Sequence, residues 1–125
     1  MPELGPVKIG DTLYVRETYR RSSEPVEVVV TKVGRVWIEM DPKEKTPSAW
    51  PTYRMRLDTQ DGGRGGDYHS GYFMSPAQLA WRDREYAAGE YLKKIGVGIT
   101  WDGQYRDRTV ELANIIRAAE GLPEL

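Results

Sequence analysis

The sequence predicts an α+β protein, in which a small antiparallel β-barrel of about five strands precedes two C-terminal α-helices. Three observations predict this fold. Short segments that alternate apolar and polar residues fill the first half of the chain, glycine-containing turns separate them, and two segments with helical spacing follow. Because 125 residues suffice for one ordinary core, we expect a single domain over residues 1–125, with a barrel portion at 7–75 and a helical portion at 76–125.

The first predicted strand covers residues 12–20 and begins after a Gly-Asp turn signal. Leu13 and Val15 share one face, whereas Tyr14 and Arg16 lie on the other. The first pair is therefore expected inside the barrel and the second pair outside.

A β-hairpin is predicted next, from strands at 25–33 and 36–40 joined by Gly34-Arg35. Valines occupy both faces of its first strand. That strand must be covered on both sides for part of its length, as happens in a closed or strongly curled sheet.

The remaining strands are interrupted by loops. Residues 41–51 contain three prolines and are predicted to be an excursion, after which alternation resumes at 53–58. Residues 61–67 contain four glycines and are predicted to be a loop, because glycine loses the most backbone entropy on ordering. Residues 72–74 are expected to close the sheet, giving a barrel of the SH3-like or a similar type.

Two helices complete the prediction. Ser75-Pro76-Ala77-Gln78 combines an N-cap hydroxyl, a proline at the first helical position and a glutamine at the third, which is a capping-box start. The first helix is predicted from 76 to about 95 and the second from about 107 to 120. Glycines at 96 and 121 mark their ends.

Composition excludes several functional classes. The absence of cysteine excludes disulfide frameworks, thiolate metal sites and thiol catalysis. The longest apolar runs have three residues, so we expect neither a membrane span nor a membrane partner. A net charge of −1 disfavours a general polyanion binder, although a local basic patch could still bind nucleic acid. No cofactor is predicted.

The strongest candidate site is an outward surface. Aromatic residues interleaved with arginines on strands can stack bases and pair with phosphates. The alternative is a set of ordinary cross-strand pairs, with Glu17 and Glu39 neutralising the arginines and a C-terminal helix covering the tryptophan. The exposure of the tryptophan decides between these two interpretations. The barrel residues of this candidate site are Tyr14, Arg16, Trp37, Arg54 and Arg56.

The glycine-rich segment offers a second candidate, a flap in which Arg64, Tyr68 and His69 fold over a bound anion. The alternative is a long turn between two strands. The absence of a Gly-Lys-Ser/Thr order disfavours a nucleotide-hydrolase loop. Asp58, Asp61, Asp67 and His69 offer oxygen and nitrogen donors, but their spacing matches no EF-hand, so no metal site is predicted.

No catalytic constellation is visible, and we expect a protein that is not an enzyme. His69 has no nearby serine with an obvious orienting carboxylate. An enzyme acting on a nucleotide or a polysaccharide stays an alternative, with His69 and Asp67 as acid and base.

Four segments resemble a known group of proteins: residues 7–15 (VKIGDTLYV), 28–37 (VVVTKVGRVW), 53–58 (YRMRLD) and 75–78 (SPAQ). They are similar to small β-barrel proteins encoded by phages and prophages of actinobacteria. The excess of arginine over lysine, 12 to 6, suits such a high-GC source. The resemblance implies a small accessory protein in the cytoplasm of an infected bacterium, and it carries over no catalytic residue.

Together these observations predict a non-enzymatic, phage-type accessory protein that sequesters or masks a host target. The expected partner is a nucleotide-type small ligand or a host protein, with counteraction of bacterial defence as one form of the role. One alternative is a small barrel that binds nucleic acid through Arg16, Arg35, Arg54 and Arg56, with Tyr14 and Trp37 stacking. Another is a virion structural protein. A homo-oligomer is also expected, because amphipathic aromatic residues are frequent in the helical half.

Overall fold

Six strands and two helices make up the regular structure of the described residues, 1–17, 25–44, 52–63, 71–100 and 102–125 of a computed structural model. The contacts within the chain form two compact units, Pro2–Leu79, and Ala80–Leu125 with Met1. The first unit contains the strands and the second contains most of the helical residues. The expectation of a single domain stays a prediction.

The strands form one closed antiparallel barrel in chain order, with the last strand paired to the first. The predicted fold class, an α+β protein with a small antiparallel barrel before two helices, is confirmed. The strands are β1 (Thr12–Glu17), β2 (Val26–Val33), β3 (Trp37–Pro42), β4 (Tyr53–Arg56), β5 (Asp61–Gly63) and β6 (Gly71–Met74).

Alternation along these strands fills the barrel with apolar side chains, because successive residues of a strand point to opposite faces. The edge of the Tyr53 ring meets Phe73 with 6.2 Å between the ring centroids. The predicted inward positions of β1, Leu13 and Val15, are confirmed as core positions. The buried barrel core consists of Leu13, Val15, Val28, Val30, Ile38, Met40, Tyr53, Met55 and Phe73.

The sixth strand is β5, which the sequence prediction of a loop at 61–67 missed. Asp61–Gly63 pairs with β4 on one side and with β6 on the other. Gly62 is buried, and a Cβ at this position would collide with the carbonyl oxygen of Arg54. The close approach of two strands therefore requires glycine here, and this requirement outweighs its entropic cost. Residues 64–67 lie outside the described residues.

An amide pair connects the β4–β5 turn to the start of the first helix. Gln60 adopts a positive φ of 58°, and its backbone oxygen accepts a hydrogen bond of 2.7 Å from Phe73 N. Its side-chain Nε2 donates to Phe73 O at 2.9 Å and to Gln78 Oε1 at 2.6 Å. In turn, Gln78 Nε2 donates a hydrogen bond of 3.1 Å to Gln60 Oε1.

The predicted capping box is confirmed at the same place. Gln78 N donates to Ser75 Oγ at 3.2 Å, and Ser75 N donates to Gln78 Oε1 at 3.1 Å. Gln78 Nε2 also donates to Pro2 O at 3.1 Å, which holds the N-terminal segment. Gln78 is only 1% exposed, so these partners satisfy a side chain that would otherwise be costly to bury.

The helices are α1 (Pro76–Lys94) and α2 (Thr109–Ala119), close to their predicted bounds. Gly96, with φ of 80°, follows α1 and allows Val97 N to bond back to Leu92 O at 2.8 Å. The buried core of the helical unit consists of Ala88, Leu92 and Ala113. Among the described residues, neither helix is long and apolar enough to cross a membrane.

Replacement of Gly62 by alanine is expected to destabilise the protein by at least about 2 kcal/mol, because a methyl group is forced against the backbone of β4. Gly89→Ala is the matched control. Gly89 lies within α1 with open space where a Cβ would be, so its replacement should stabilise by about 0.5–1 kcal/mol. Urea unfolding followed by circular dichroism measures both changes. Equal midpoints for the two variants would contradict this account of β5.

Gln78→Ala should lower the free energy of unfolding by about 1–3 kcal/mol, because the amide of Gln60 and the N–H of Ser75 lose their partner. The control is Gln104→Ala, at an exposed position of the segment before α2. Chemical denaturation of both variants tests the difference. A Gln78→Ala midpoint as high as that of the control would show that the amide pair contributes nothing.

Candidate functional site

One group of predicted site residues meets on the outer surface of β3 and β4. Trp37 stands opposite Arg56 in the strand register. The Arg54 guanidinium carbon lies 4.3 Å from the centroid of the indole ring, and that of Arg56 lies 6.0 Å away. We name these three residues, Trp37, Arg54 and Arg56, the Trp37 cluster. Both distances are within the range of cation–π attraction.

The Arg54 side chain has an unusual environment. Its Nε atom is shielded from solvent and has no hydrogen-bond partner among the described residues. Trp37 is half-buried, so the structure matches neither a freely exposed platform nor a fully covered ring. The indole and the Arg54 guanidinium instead form a stacked pair, which leaves one donor of the guanidinium unused.

Arg56 is engaged by a carboxylate. Its Nε donates to Asp58 Oδ1 at 2.8 Å and its Nη2 to Asp58 Oδ2 at 3.1 Å, which is the two-pronged geometry that guanidinium also uses with phosphate. The hydrogen bond from Arg56 holds the pKa of the Asp58 carboxyl below its ordinary value. The same bond, followed by the charges of Asp58 and Asp61, raises the pKa of Arg56. Asp58 is therefore occupied as a partner of arginine.

Tyr14 and Arg16 point outward from β1, as predicted, but the structure does not bring them to the Trp37 cluster. Tyr14 is flanked in register by Glu27 on β2 and by Met74 on β6. The Glu27 carboxylate pairs with Lys43 at 3.2 Å. Two strands, β5 and β6, separate β1 from β4 along the closed sheet.

Arg16 shares the unusual feature of Arg54. Its Nε is also shielded from solvent without a hydrogen-bond partner in the described part of the chain. Arg16 stands opposite Tyr72 on β6, a half-buried aromatic residue that the sequence analysis did not select. The signal was present, because an inward Phe73 requires its strand neighbour Tyr72 to face outward.

The remaining predicted site residues, Arg64, Tyr68 and His69, lie outside the described residues, and so does Asp67. The flap and the acid–base pair stay predictions. Among the residues considered above as metal ligands, Asp58 is hydrogen-bonded to Arg56, and Asp61 accepts a hydrogen bond from the Thr59 hydroxyl. Within the ranges that the structure describes, no three His, Cys, Asp or Glu residues come together as a metal site.

Comparison with known families gives one result. Residues 1–124 match the family described as the Phage ProQ C-terminal-like domain. The match covers nearly the whole chain and supports the resemblance to a phage-associated family of small domains. No curated protein and no solved structure matches the chain.

The Arg56–Asp58 pair predicts a specific titration. Because the bond favours the charged carboxylate in the folded state, its stabilising effect is present above the ordinary pKa and is lost as the pH falls through the lowered one. The midpoint of Asp58 in an NMR titration should lie below the ordinary pKa of an aspartate side chain. Arg56→Ala should return that midpoint to the ordinary value, whereas Arg84→Ala, on α1, should leave it unchanged. An unshifted midpoint in the unmodified protein would refute the pairing.

Proposed function

The chain belongs to the Phage ProQ C-terminal-like domain family, and from that premise we propose that it is a non-enzymatic, phage-type binding protein whose barrel binds single-stranded nucleic acid through the Trp37 cluster. The observation that carries this role is the Arg54 guanidinium stacked on the Trp37 indole. The pair places an aromatic ring and a cationic group in contact on the outward face of the barrel.

The chemistry of the Trp37 cluster fits the parts of a single strand. A planar guanidinium on an indole extends a stack that an unpaired base can join, and stacking on aromatic residues contributes about 1–3 kcal/mol per base. Arg56 presents a fork that already holds a carboxylate, and a phosphate can accept the same two hydrogen bonds.

The charge of the chain limits the kind of nucleic acid. A net charge of −1 gives little general attraction to a polyanion, so the affinity must come from local contacts. Single strands expose the faces of their bases, whereas a duplex hides them. We therefore propose unpaired RNA or DNA as the ligand, with a shallow salt dependence of about −0.7 in log–log slope for each phosphate contact.

Capture of a free nucleotide is the second candidate. A cluster with one indole can hold one base, which favours a small ligand in the same place. Under this narrower proposal the protein sequesters a nucleotide signal of the host and so counteracts bacterial defence in the host cytoplasm. The masking of a host defence protein and the formation of a homo-oligomer remain proposals of the same kind.

Trp37→Ala and Arg54→Ala should each weaken the binding of a labelled 12-nucleotide single strand by about 5- to 100-fold, because each removes part of the stack. Fluorescence anisotropy with RNA and DNA of mixed sequence measures this loss, and thermal unfolding checks that the variants fold. Arg84→Ala, on α1, is the control with the same change of charge.

Two outcomes would overturn the proposed function. One is the absence of binding by the unmodified protein at low salt. The other is an equal loss in Arg84→Ala and Arg54→Ala. A mononucleotide that binds as tightly as the 12-nucleotide strand would favour the free-nucleotide candidate over the strand.

A further inference from the structure

The Arg56 guanidinium is the part of the Trp37 cluster that an acidic side chain already occupies. Asp58 accepts two hydrogen bonds from it, at 2.8 Å from Nε and at 3.1 Å from Nη2. The Arg56 side chain is 47% exposed and that of Asp58 is 59% exposed, so an anion from solution can reach the pair. A carboxylate and a phosphate present the same pair of acceptor oxygens to a guanidinium. Asp58 therefore occupies the place that a phosphate would take.

The turn between β4 and β5 keeps Asp58 beside Arg56. Arg56 is the last residue of β4, and Asp58 follows two residues later. Leu57 N, just before Asp58, donates to Val36 O at 2.8 Å. Gln60 N, just after it, donates to Arg56 O at 2.8 Å. These two backbone bonds do not use the Asp58 carboxylate, so the carboxylate can leave the guanidinium while the turn holds it close enough to return.

On the basis of the proposed function, we infer that Asp58 is an internal competitor, which a phosphate of the ligand must displace from Arg56. A group tethered beside its partner acts at a high effective concentration, which a dissolved anion does not match. The Arg56 guanidinium carbon lies 6.0 Å from the centroid of the Trp37 ring, so a base that stacks on the indole brings the phosphate of its own strand beside Asp58. Such a strand therefore competes with Asp58 better than inorganic phosphate does.

The strength of the ion pair determines how much affinity Asp58 removes. An exposed pair of this kind favours the paired state by about 1.4- to 5-fold, so Asp58 occupies the guanidinium for about 60–80% of the time. Competition of this size weakens the binding of a phosphate by about 2- to 6-fold. The hydrogen bond from Arg56 also holds the pKa of the Asp58 carboxyl below its ordinary value, which keeps the competitor charged at neutral pH.

A double-mutant cycle tests the competition. Binding of the labelled 12-nucleotide strand is measured by fluorescence anisotropy for the unmodified protein, Arg56→Ala, Asp58→Asn and the double variant. Asp58→Asn should bind about 2- to 6-fold more tightly, because asparagine retains the shape of the side chain but loses its charge. Arg56→Ala should bind more weakly, and Asp58→Asn should change little when Arg56 is absent. Asp83→Asn, on α1, removes the same charge and should bind as the unmodified protein does.

Inorganic phosphate tests the same competition without a base. The NMR signal of the Arg56 Nε–H group reports on its occupant, because this nitrogen donates to Asp58 in the free protein. The phosphate concentration at half-saturation of the signal change should be about 2- to 6-fold lower in Asp58→Asn than in the unmodified protein. Thermal unfolding of each variant checks that it folds.

The outcomes separate the internal competitor from the proposed function. If no strand binds to any of the four proteins, the proposed function is wrong, whereas the phosphate titration still decides whether Asp58 competes at Arg56. If strands bind but Asp58→Asn gains no more affinity than Asp83→Asn, the Trp37 cluster stands and the competitor is refuted. An equal gain from Asp58→Asn with and without Arg56 also refutes it, because general charge repulsion would then be the cause.

Discussion

The reciprocal amide pair between Gln60 and Gln78 is the interaction on which the rest of the barrel depends. It joins the β4–β5 turn to the cap of α1, while the backbone of Gln60 holds Phe73 on β6. Those contacts bring β5 and β6 together, and closure with β1 follows. A closed ladder fixes the register of every strand, and a slip of one residue would exchange the inner and outer faces. The outward position of Arg54 therefore rests on the pairing of the buried Gln78 with the half-buried Gln60.

Much of this fold could be predicted because its signals are local. Alternation identified the inward residues of β1, and the Ser75–Gln78 capping box identified the start of α1. The strand β5 could not be found in this way, since Asp61–Gly63 has three residues and two of them are glycines. The Gln60–Gln78 bond joins residues 18 apart in the chain, and no periodic pattern indicates such a partner.

The same distinction between local signals and long-range contacts applies to the candidate site. Face alternation placed Trp37, Arg54 and Arg56 on one surface, and their cross-strand contacts follow from the antiparallel register of β3 and β4. The separation of Tyr14 and Arg16 from them depends on how many strands intervene, which only the closed topology determines. The position of Tyr72 opposite Arg16 emerges at the same stage, because the two residues lie far apart in the chain.

The closed sheet also has a consequence for association between molecules. A barrel in which the last strand pairs with the first offers no free strand edge along its paired segments, so a second chain cannot extend the sheet by adding a strand there. Exchange into fibrils by edge-to-edge growth is discouraged for the same reason. Any assembly built on this barrel must therefore use side-chain surfaces, which can change in evolution without disturbing the hydrogen bonds that close it.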